Sequence, residues 1–145
     1  MSLLSGKPKK FEYIEHPADI ALQVYGKTLS TLFINAAEGL YDILRPGCKV
    51  VDETFREKRK FFSNSLEDLL VLFLNEILFI AVKHHLIFTK FLINIKCAKK
   101  RSGLKCDMVG YRFGSMEREV KAVTYHKLKI EKIGDMFQTY IVFDI

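Results

Sequence analysis

Residues 11–44, FEYIEHPADIALQVYGKTLSTLFINAAEGLYDIL, decide how the fold begins, because two strand patterns precede a helix pattern. Apolar residues alternate along 20–26, which predicts a strand with one face in the core, and 11–14 predicts a shorter strand before it. After the second strand, Thr28 can cap a helix whose apolar residues follow three-and-four spacing until the proline and glycine at 46–47. This helix is predicted to lay one apolar stripe on a sheet.

A second helix is predicted from NSLEDLLVLFLNEILFIAVKHH, residues 64–85. Asn64 and Glu67 have capping-box spacing, and the pattern predicts a helix of about 17 residues. Its body is apolar almost all round, so packing on both sides is expected. The polar pair Asn75 and Glu76 at its middle leaves an apolar stretch well short of the roughly 20 residues that cross a bilayer, so a membrane span is not expected.

The rest of the chain is rich in strand patterns. Residues 49–63 alternate loosely and predict a strand, and 91–97 with 104–108 predict a hairpin. Residues 120–132 and 136–144 predict another strand pair around a turn. Hairpin-joined strands with only two main helices favour an α+β fold, a single-domain sandwich of largely antiparallel sheet, over a doubly wound parallel sheet.

Composition agrees with one domain in a reducing compartment. The 145 residues are 49% hydrophobic and 28% charged, a globular balance. We expect residues 1–10 to form a frayed, flexible N-terminal tail without a signal peptide, and residues 11–145 to form the single domain. The cysteines are an odd set without CxxC spacing, which argues against a disulfide framework or a zinc site and favours the cytoplasm. They are Cys48, Cys97 and Cys106.

The chain is basic, with a formal net charge of +6 and a pI of about 9.2. Many of the cations lie in two runs, which are Arg56, Lys58, Arg59 and Lys60, and Lys96, Lys99, Lys100, Arg101 and Lys105. Such runs either attract RNA or an acidic protein face, or simply form a solvated surface. The sequence shows no base-stacking aromatics interleaved with these charges, as an RNA-recognition sheet would have.

His16 and Asp19 lie on either side of Pro17, at the joint between the first two predicted strands. In a regular strand their side chains would point to opposite faces, but the proline interrupts the strand and a turn can bring them together. Two interpretations stay open. The pair either bonds to neighbouring backbone groups of the turn, or it contributes to a functional site.

Asp144 and the terminal carboxylate of Ile145 end the chain directly after an apolar strand core. If this last strand lies beside the strand that begins after Asp19, two carboxylates and the terminus share one site. Like charges so close are costly, and a divalent cation is the simplest compensation. Oxygen ligands with one imidazole suit Mg²⁺, Mn²⁺ or Ca²⁺ better than a thiophilic metal.

Three other polar residues have both a structural and a functional interpretation. Glu76 either bonds to a backbone group or to a basic residue at the sheet edge, or it contacts a partner or the same site. Lys121 is solvated or contacts a partner. His126 is an edge imidazole or a donor near the site. The phosphate-binding, metalloprotease and hydrolase motifs GxxxxGK[ST], GxGxxG, HExxH and GxSxG are absent. Nucleotide hydrolysis and acyl transfer are therefore unsupported.

Four segments in this order resemble the archease family over nearly the whole chain. They are the opening stretch 11–44, LEDLLVLFLNEILF, EVKAVTYHKLKI and the terminal YIVFDI. The family's usual EHTAD has threonine where this chain has Pro17. His16 and Asp19 keep their places, whereas a role for a hydroxyl there is put in doubt.

The resemblance implies a non-enzymatic, chaperone-like activator of the RtcB-type RNA ligase, active in tRNA splicing and RNA repair. That ligase joins 3′-phosphate or 2′,3′-cyclic phosphate RNA ends to 5′-hydroxyl ends through a guanylylated histidine, and GTP and Mn²⁺ belong to it. Archeases are understood to promote ligase guanylylation and multiple turnover. The contact with tRNA or other RNA would then be indirect.

On the same resemblance, Asp19 and Asp144 match the family's required acidic and metal-binding residues, with Ile145 adjacent. The ion implied is Ca²⁺, Mg²⁺ or Mn²⁺, and no residue of this chain is expected to be catalytic. His16, Glu76, Lys121 and His126 are expected to contact the ligase or to support the metal ligands. Two other functions stay open: a small basic RNA-binding module, and a metal-dependent phosphoester hydrolase that uses His16, Asp19 and Asp144.

Overall fold

The computed structural model describes residues 8–14, 19–50 and 52–145. In that part of the chain, two strands precede the first helix, one strand separates the helices and five strands follow the second helix. The strands are β1 (Phe11–Ile14), β2 (Ile20–Gly26), β3 (Phe55–Ser63), β4 (Leu86–Lys96), β5 (Ser102–Arg112), β6 (Ala122–Thr124), β7 (Glu131–Ile133) and β8 (Met136–Asp144). The helices are α1 (Leu29–Leu44) and α2 (Leu66–His84), so the α+β fold with two main helices is confirmed.

The larger sheet joins the two ends of the chain. Its strand order is β1-β2-β8-β6, and β7 pairs with the opposite end of β8. All of these pairs are antiparallel. The register of β2 and β8 runs from Ile20 opposite Phe143 to Gly26 opposite Phe137. The residue before β2 and the last residues of β8 therefore reach the same end of the sheet.

The smaller sheet has the order β3-β5-β4, again with antiparallel pairs only. The β4–β5 hairpin is the one that the sequence predicts, lengthened at its open end, and Thr89 makes an irregularity in its register. Along β3, half-buried and exposed residues alternate without interruption. One face of this sheet consequently packs inward and the other faces solvent.

Both helices contact both sheets, and the core lies between the layers. Helix α1 contacts β2 and β4, whereas α2 contacts β3, β4, β5 and β6. The largest fully buried side chains come from both helices and both sheets and include Phe33, Phe73, Phe88, Phe113 and Phe143. Most of the apolar surface of α2 is buried, as the expectation of packing on both sides requires. Among the described residues, no helix is long and apolar enough to span a membrane.

Local hydrogen bonds set the helix ends. The Thr28 side chain accepts a hydrogen bond from the Thr31 amide at 3.0 Å, so Thr28 is the N-cap of α1 as predicted. The prediction for α2 is wrong by one residue, because Ser65 has extended backbone angles and accepts from the Asp68 amide at 3.0 Å. Asn64 lies outside the helix and is exposed.

Two predicted strands are shorter than the sequence pattern suggested. The strand expected over 49–63 begins only at Phe55, where β5 supplies its pairing partner, although Lys49 makes an isolated bridge with Phe113. The strand expected over 120–132 divides into β6 and β7. Between them the chain leaves the sheet, and the Ile130 amide donates to the Glu67 carboxylate at 2.9 Å on the first turn of α2.

Candidate functional site

Asp19 and Asp144 lie at the same end of the larger sheet. The ladder between β2 and β8 ends at Ile20 opposite Phe143, so Asp19 directly precedes the last paired residue of β2 and Asp144 directly follows its partner in β8. The two backbone positions are thus near each other, although they belong to opposite ends of the chain.

The end of β8 is held on both sides rather than left to fray. Ala122 of β6 lies opposite Asp144, and the Lys121 amide donates to the Asp144 carbonyl at 2.7 Å. The preceding residue, Phe143, is fully buried and anchors the strand in the core. Asp144 itself is exposed. The structure therefore presents this carboxylate to solvent from a fixed backbone.

Asp144 is the last residue of β8, whereas Asp19 directly precedes β2. Carboxylate oxygens are the ligands that Mg²⁺, Mn²⁺ and Ca²⁺ prefer. Within residues 8–14, 19–50 and 52–145, no group of three or more histidine, cysteine, aspartate or glutamate side chains could hold a metal ion. The metal site expected at Asp19 and Asp144 therefore stays a prediction.

His16 and Pro17 lie outside the described residues, so the expected contribution of His16 stays a prediction. Lys121 is exposed, in agreement with its alternation in the sequence, and continuing the β6–β8 register pairs its backbone with Ile145. His126 is exposed on the segment after β6, where its amide donates to the Thr124 hydroxyl at 3.3 Å. Lys121 is therefore a neighbour of the carboxylates through the backbone.

Glu76 contacts the smaller sheet. Its carboxylate accepts a hydrogen bond from Arg59 Nε at 2.7 Å, and the same guanidinium lies 3.1 Å from Glu57. The hydrogen bond to Glu76 raises the pKa of Arg59 above its ordinary value, with Glu57 adding to the effect. The pairing with a basic residue, one of the two interpretations of Glu76, is thus what the structure contains.

The neighbouring Asn75 has a structural role that the sequence did not indicate. Its Oδ1 accepts from the Val123 amide at 3.0 Å and its Nδ2 donates to the Val123 carbonyl at 3.3 Å. The amide thereby completes the hydrogen bonds of the edge strand β6. Periodicity alone could not reveal this contact, because it joins residues that are far apart in sequence.

A groove adjoins the site on the side of α2. It is lined by exposed apolar side chains of the helix, Phe79 and Val82, and by residues 119–121, and its volume is about 460 Å³. Lys121 lines this groove, and its main-chain amide donates to the Asp144 carbonyl of β8. The apolar groove therefore lies next to Asp144 on the surface of the protein.

Comparisons with known proteins agree on one family. A sequence profile of the Archease protein family (MTH1598/TM1083) matches residues 11–145. The chain is similar to a protein archease of Methanosarcina acetivorans, with 37% identity over 142 residues that cover 94% of this chain and 97% of the relative. The names state no enzymatic activity.

Solved structures give the same result for the fold. The solution structure of Methanobacterium thermoautotrophicum protein 1598 superposes with a TM-score of 0.76 at 25% identity, over 93% of this chain and 98% of that one. The crystal structure of a Thermotoga maritima archease, described as a possible chaperone, has a TM-score of 0.65 at 24% identity, over 96% of this chain and 100% of that one. The second likeness concerns the fold alone.

Proposed function

Because the chain belongs to the archease family, we propose that it is a non-catalytic activator of an RtcB-type RNA ligase. In this role it promotes guanylylation of the ligase and lets each ligase molecule complete many ligations, in tRNA splicing and RNA repair. GTP and Mn²⁺ are bound by the ligase, and the ligase joins the RNA ends. The activator works in the cytoplasm and has no active site of its own.

The observation that carries this proposal is that the antiparallel pairing of β2 with β8 brings Asp19 and Asp144 to the same end of the larger sheet. Core packing does not need two carboxylates at the end of a sheet. Phe143 and the Lys121 hydrogen bond nevertheless hold Asp144 in place. Two acidic groups at one end of a sheet are suited to contact a positively charged or metal-containing site of another protein.

The oxygen donors of Asp19 and Asp144 fit a hard divalent cation, Ca²⁺, Mg²⁺ or Mn²⁺, with the Ile145 carboxylate beside them. When bound, such an ion would supply positive charge for phosphate oxygens. Two protein carboxylates leave most of the coordination positions to water or to the ligase. The contribution of this chain is to hold the oxygens together and to orient them.

The groove beside the carboxylates supplies a second part of the contact. Phe79 and Val82 are exposed apolar side chains on α2, and a protein partner that covers them gains hydrophobic free energy. Lys121 lies between this surface and Asp144. The ligase would therefore meet an apolar patch and an acidic site in one docking event.

The test is a ligation time course with limiting RtcB-type ligase, GTP, Mn²⁺ and an RNA with a 3′-phosphate end. Wild-type protein should convert a single burst into many turnovers. Asp19→Asn and Asp144→Asn, which keep the side-chain shape, should each lose most of this stimulation. Asp135→Asn is the matched control, because Asp135 is an exposed aspartate in the turn at the far end of β8.

Full stimulation by both aspartate variants would show that the proposal is wrong. Each variant is also unfolded in urea, so that lost activity is assigned to the site only where the unfolding midpoint is close to that of wild type. The protein alone, incubated with phosphoesters and Mn²⁺, should give no turnover. Turnover that depends on Asp19 and Asp144 would instead support the hydrolase.

A further inference from the structure

The outward face of the smaller sheet carries a dense set of cations that the proposed function does not use. Side chains alternate along β3, and the registers of β3 with β5 and of β5 with β4 place these exposed side chains on one face. They are Arg56, Lys58, Lys60, Lys90, Lys96 and Lys105. Arg59, which belongs to the same run in sequence, points inward to Glu76 instead.

The positive charge of this face is largely uncompensated. Asp107 is the acidic residue paired across the sheet from Lys58, and their charged atoms are 3.8 Å apart. None of the other five cations has an ion pair within the described residues. Lys60 lies directly opposite Lys105 in the register, and like charges in that position destabilise a sheet. An anion bound between them would remove this cost.

An aromatic ring lies at one end of the same face. Phe62 is 53% exposed, and the guanidinium carbon of Arg101 lies 4.4 Å from the centre of its ring. Gly103, across the sheet from Phe62, allows the ring to lie close, since a Cβ there would be 3.1 Å from Phe62 Cε1. Ring and guanidinium together form a flat surface of the kind on which nucleobases stack.

Two hollows connect the ring with the cations. The first, about 410 Å³, is lined by Phe62, Arg101 and Lys96, and the second, about 290 Å³, is lined by Lys58, Lys60 and Leu92. Asn94 and Lys105 line both, so the hollows are neighbours on the sheet. Leu92 is 72% exposed between the charges. The result is a basic track with stacking and apolar surfaces along it.

We propose that this face binds single-stranded RNA directly. Cations spaced along adjacent strands would contact successive phosphates, while a base stacks on the Phe62–Arg101 surface. An acidic protein segment would use the same charges but would gain little from the ring. The site lies on a different sheet from Asp19 and Asp144, so the inference does not rest on the ligase-activating role.

The experiment measures fluorescence anisotropy of a labelled single-stranded oligouridylate titrated with the full chain, without ligase. Wild type should bind with an affinity that falls steeply between about 50 and 200 mM salt. Lys60→Glu should weaken binding roughly tenfold and lower the salt slope by about 0.7, the contribution of one phosphate contact on a single strand. Lys27→Glu, an equal charge change at an exposed position elsewhere, should have a much smaller effect.

Phe62→Leu should weaken binding by about tenfold, because stacking on the ring is lost while the charges remain. Tyr125→Leu is the matched control, since Tyr125 is exposed to a similar extent, 55%, but lies after β6 in the larger sheet. Lys60→Glu should at the same time raise the urea midpoint, because it creates an opposite-charge pair with Lys105. Binding and stability then change in opposite directions, which excludes unfolding as the reason for lost affinity.

Several results would overturn the inference. These are the absence of oligouridylate binding at low salt, equal losses for Lys60→Glu and Lys27→Glu, or an affinity that does not respond to Phe62→Leu. A glutamate-rich peptide of matched charge is titrated in parallel. Binding of that peptide as tight as RNA, and insensitive to Phe62→Leu, would identify an acidic protein as the partner instead.

Discussion

Asn75 shows how much one side chain contributes to the edge of the larger sheet. Its amide group bonds to both main-chain groups of Val123, which is the pattern that a further strand would make. Val123 lies opposite Phe143 and adjoins the residue paired with Asp144. The amide on α2 therefore helps to keep β6 against β8, and with it the end of β8 that presents the carboxylate.

We predict that Asn75→Ala destabilises the protein by about 1–3 kcal/mol, because two main-chain groups of Val123 lose their partners. Urea unfolding followed by circular dichroism measures the change. Asn94→Ala is the control, since Asn94 is exposed and makes no side-chain hydrogen bond within the described residues. An equal loss of stability in both variants would contradict the role of Asn75.

At the scale of the element, the start of α2 depends on competition between neighbouring capping residues. The capping-box spacing of Asn64 and Glu67 favours one start, but Ser65 is the residue with the extended conformation and the bond to Asp68. Glu67 is then available to accept from the Ile130 amide, which fixes the segment between β6 and β7. With Ser65 as the N-cap, the Glu67 carboxylate bonds to the segment between β6 and β7 instead of capping its own helix.

We predict that Ser65→Ala lowers the free energy of unfolding by about 0.5–2 kcal/mol through loss of the cap. Asn64→Ala should change it by less than about 0.5 kcal/mol, as is usual for exposed residues without special contacts. Both values come from urea unfolding curves of equal slope. The opposite order of the two effects would restore Asn64 as the cap.

For the whole molecule, the two helices connect sheets that share no strand pairing among the described residues. The inner face of the smaller sheet contributes Cys106, which is 4% exposed, to the common core. Burial raises the pKa of the Cys106 thiol to about 11, so almost no thiolate is present near neutral pH. Cys48 and Cys97 are exposed. Chemical modification of Cys48 and Cys97 therefore reports on the surface, and modification of Cys106 reports on the core.

We predict that a thiol reagent at pH 8 modifies Cys48 and Cys97 rapidly in the native protein and Cys106 only when the structure opens. Mass spectrometry of digested samples assigns each modification, and added urea should bring the rate at Cys106 close to that of the others. Cys106→Ala supplies the control, because it should remove the slow phase alone. Rapid modification of Cys106 in native buffer would contradict the packing of the two sheets.

The sequence was sufficient where the signal is local. Alternation predicted β1, β2 and the β4–β5 hairpin, and apolar spacing predicted both helices, because these patterns follow from the geometry of each element. The break between β6 and β7 was not predicted, since residues 125–130 leave the sheet for contacts with α2. The run at 56–60 is one basic cluster in sequence, but strand alternation separates Arg59 from its neighbours and turns it toward Glu76.

The candidate site divides in the same way. By itself, the sequence determined that Asp19 and Asp144 are carboxylates at the ends of apolar strands, because neighbouring residues are enough to predict each strand and its end. That they come to the same end of the larger sheet was decided only by the antiparallel pairing of β2 with β8. The basic track likewise exists only where three strands meet, since phosphate contacts and a stacking ring come from different segments. Such contacts depend on register and on the shared core, which local periodicity does not contain.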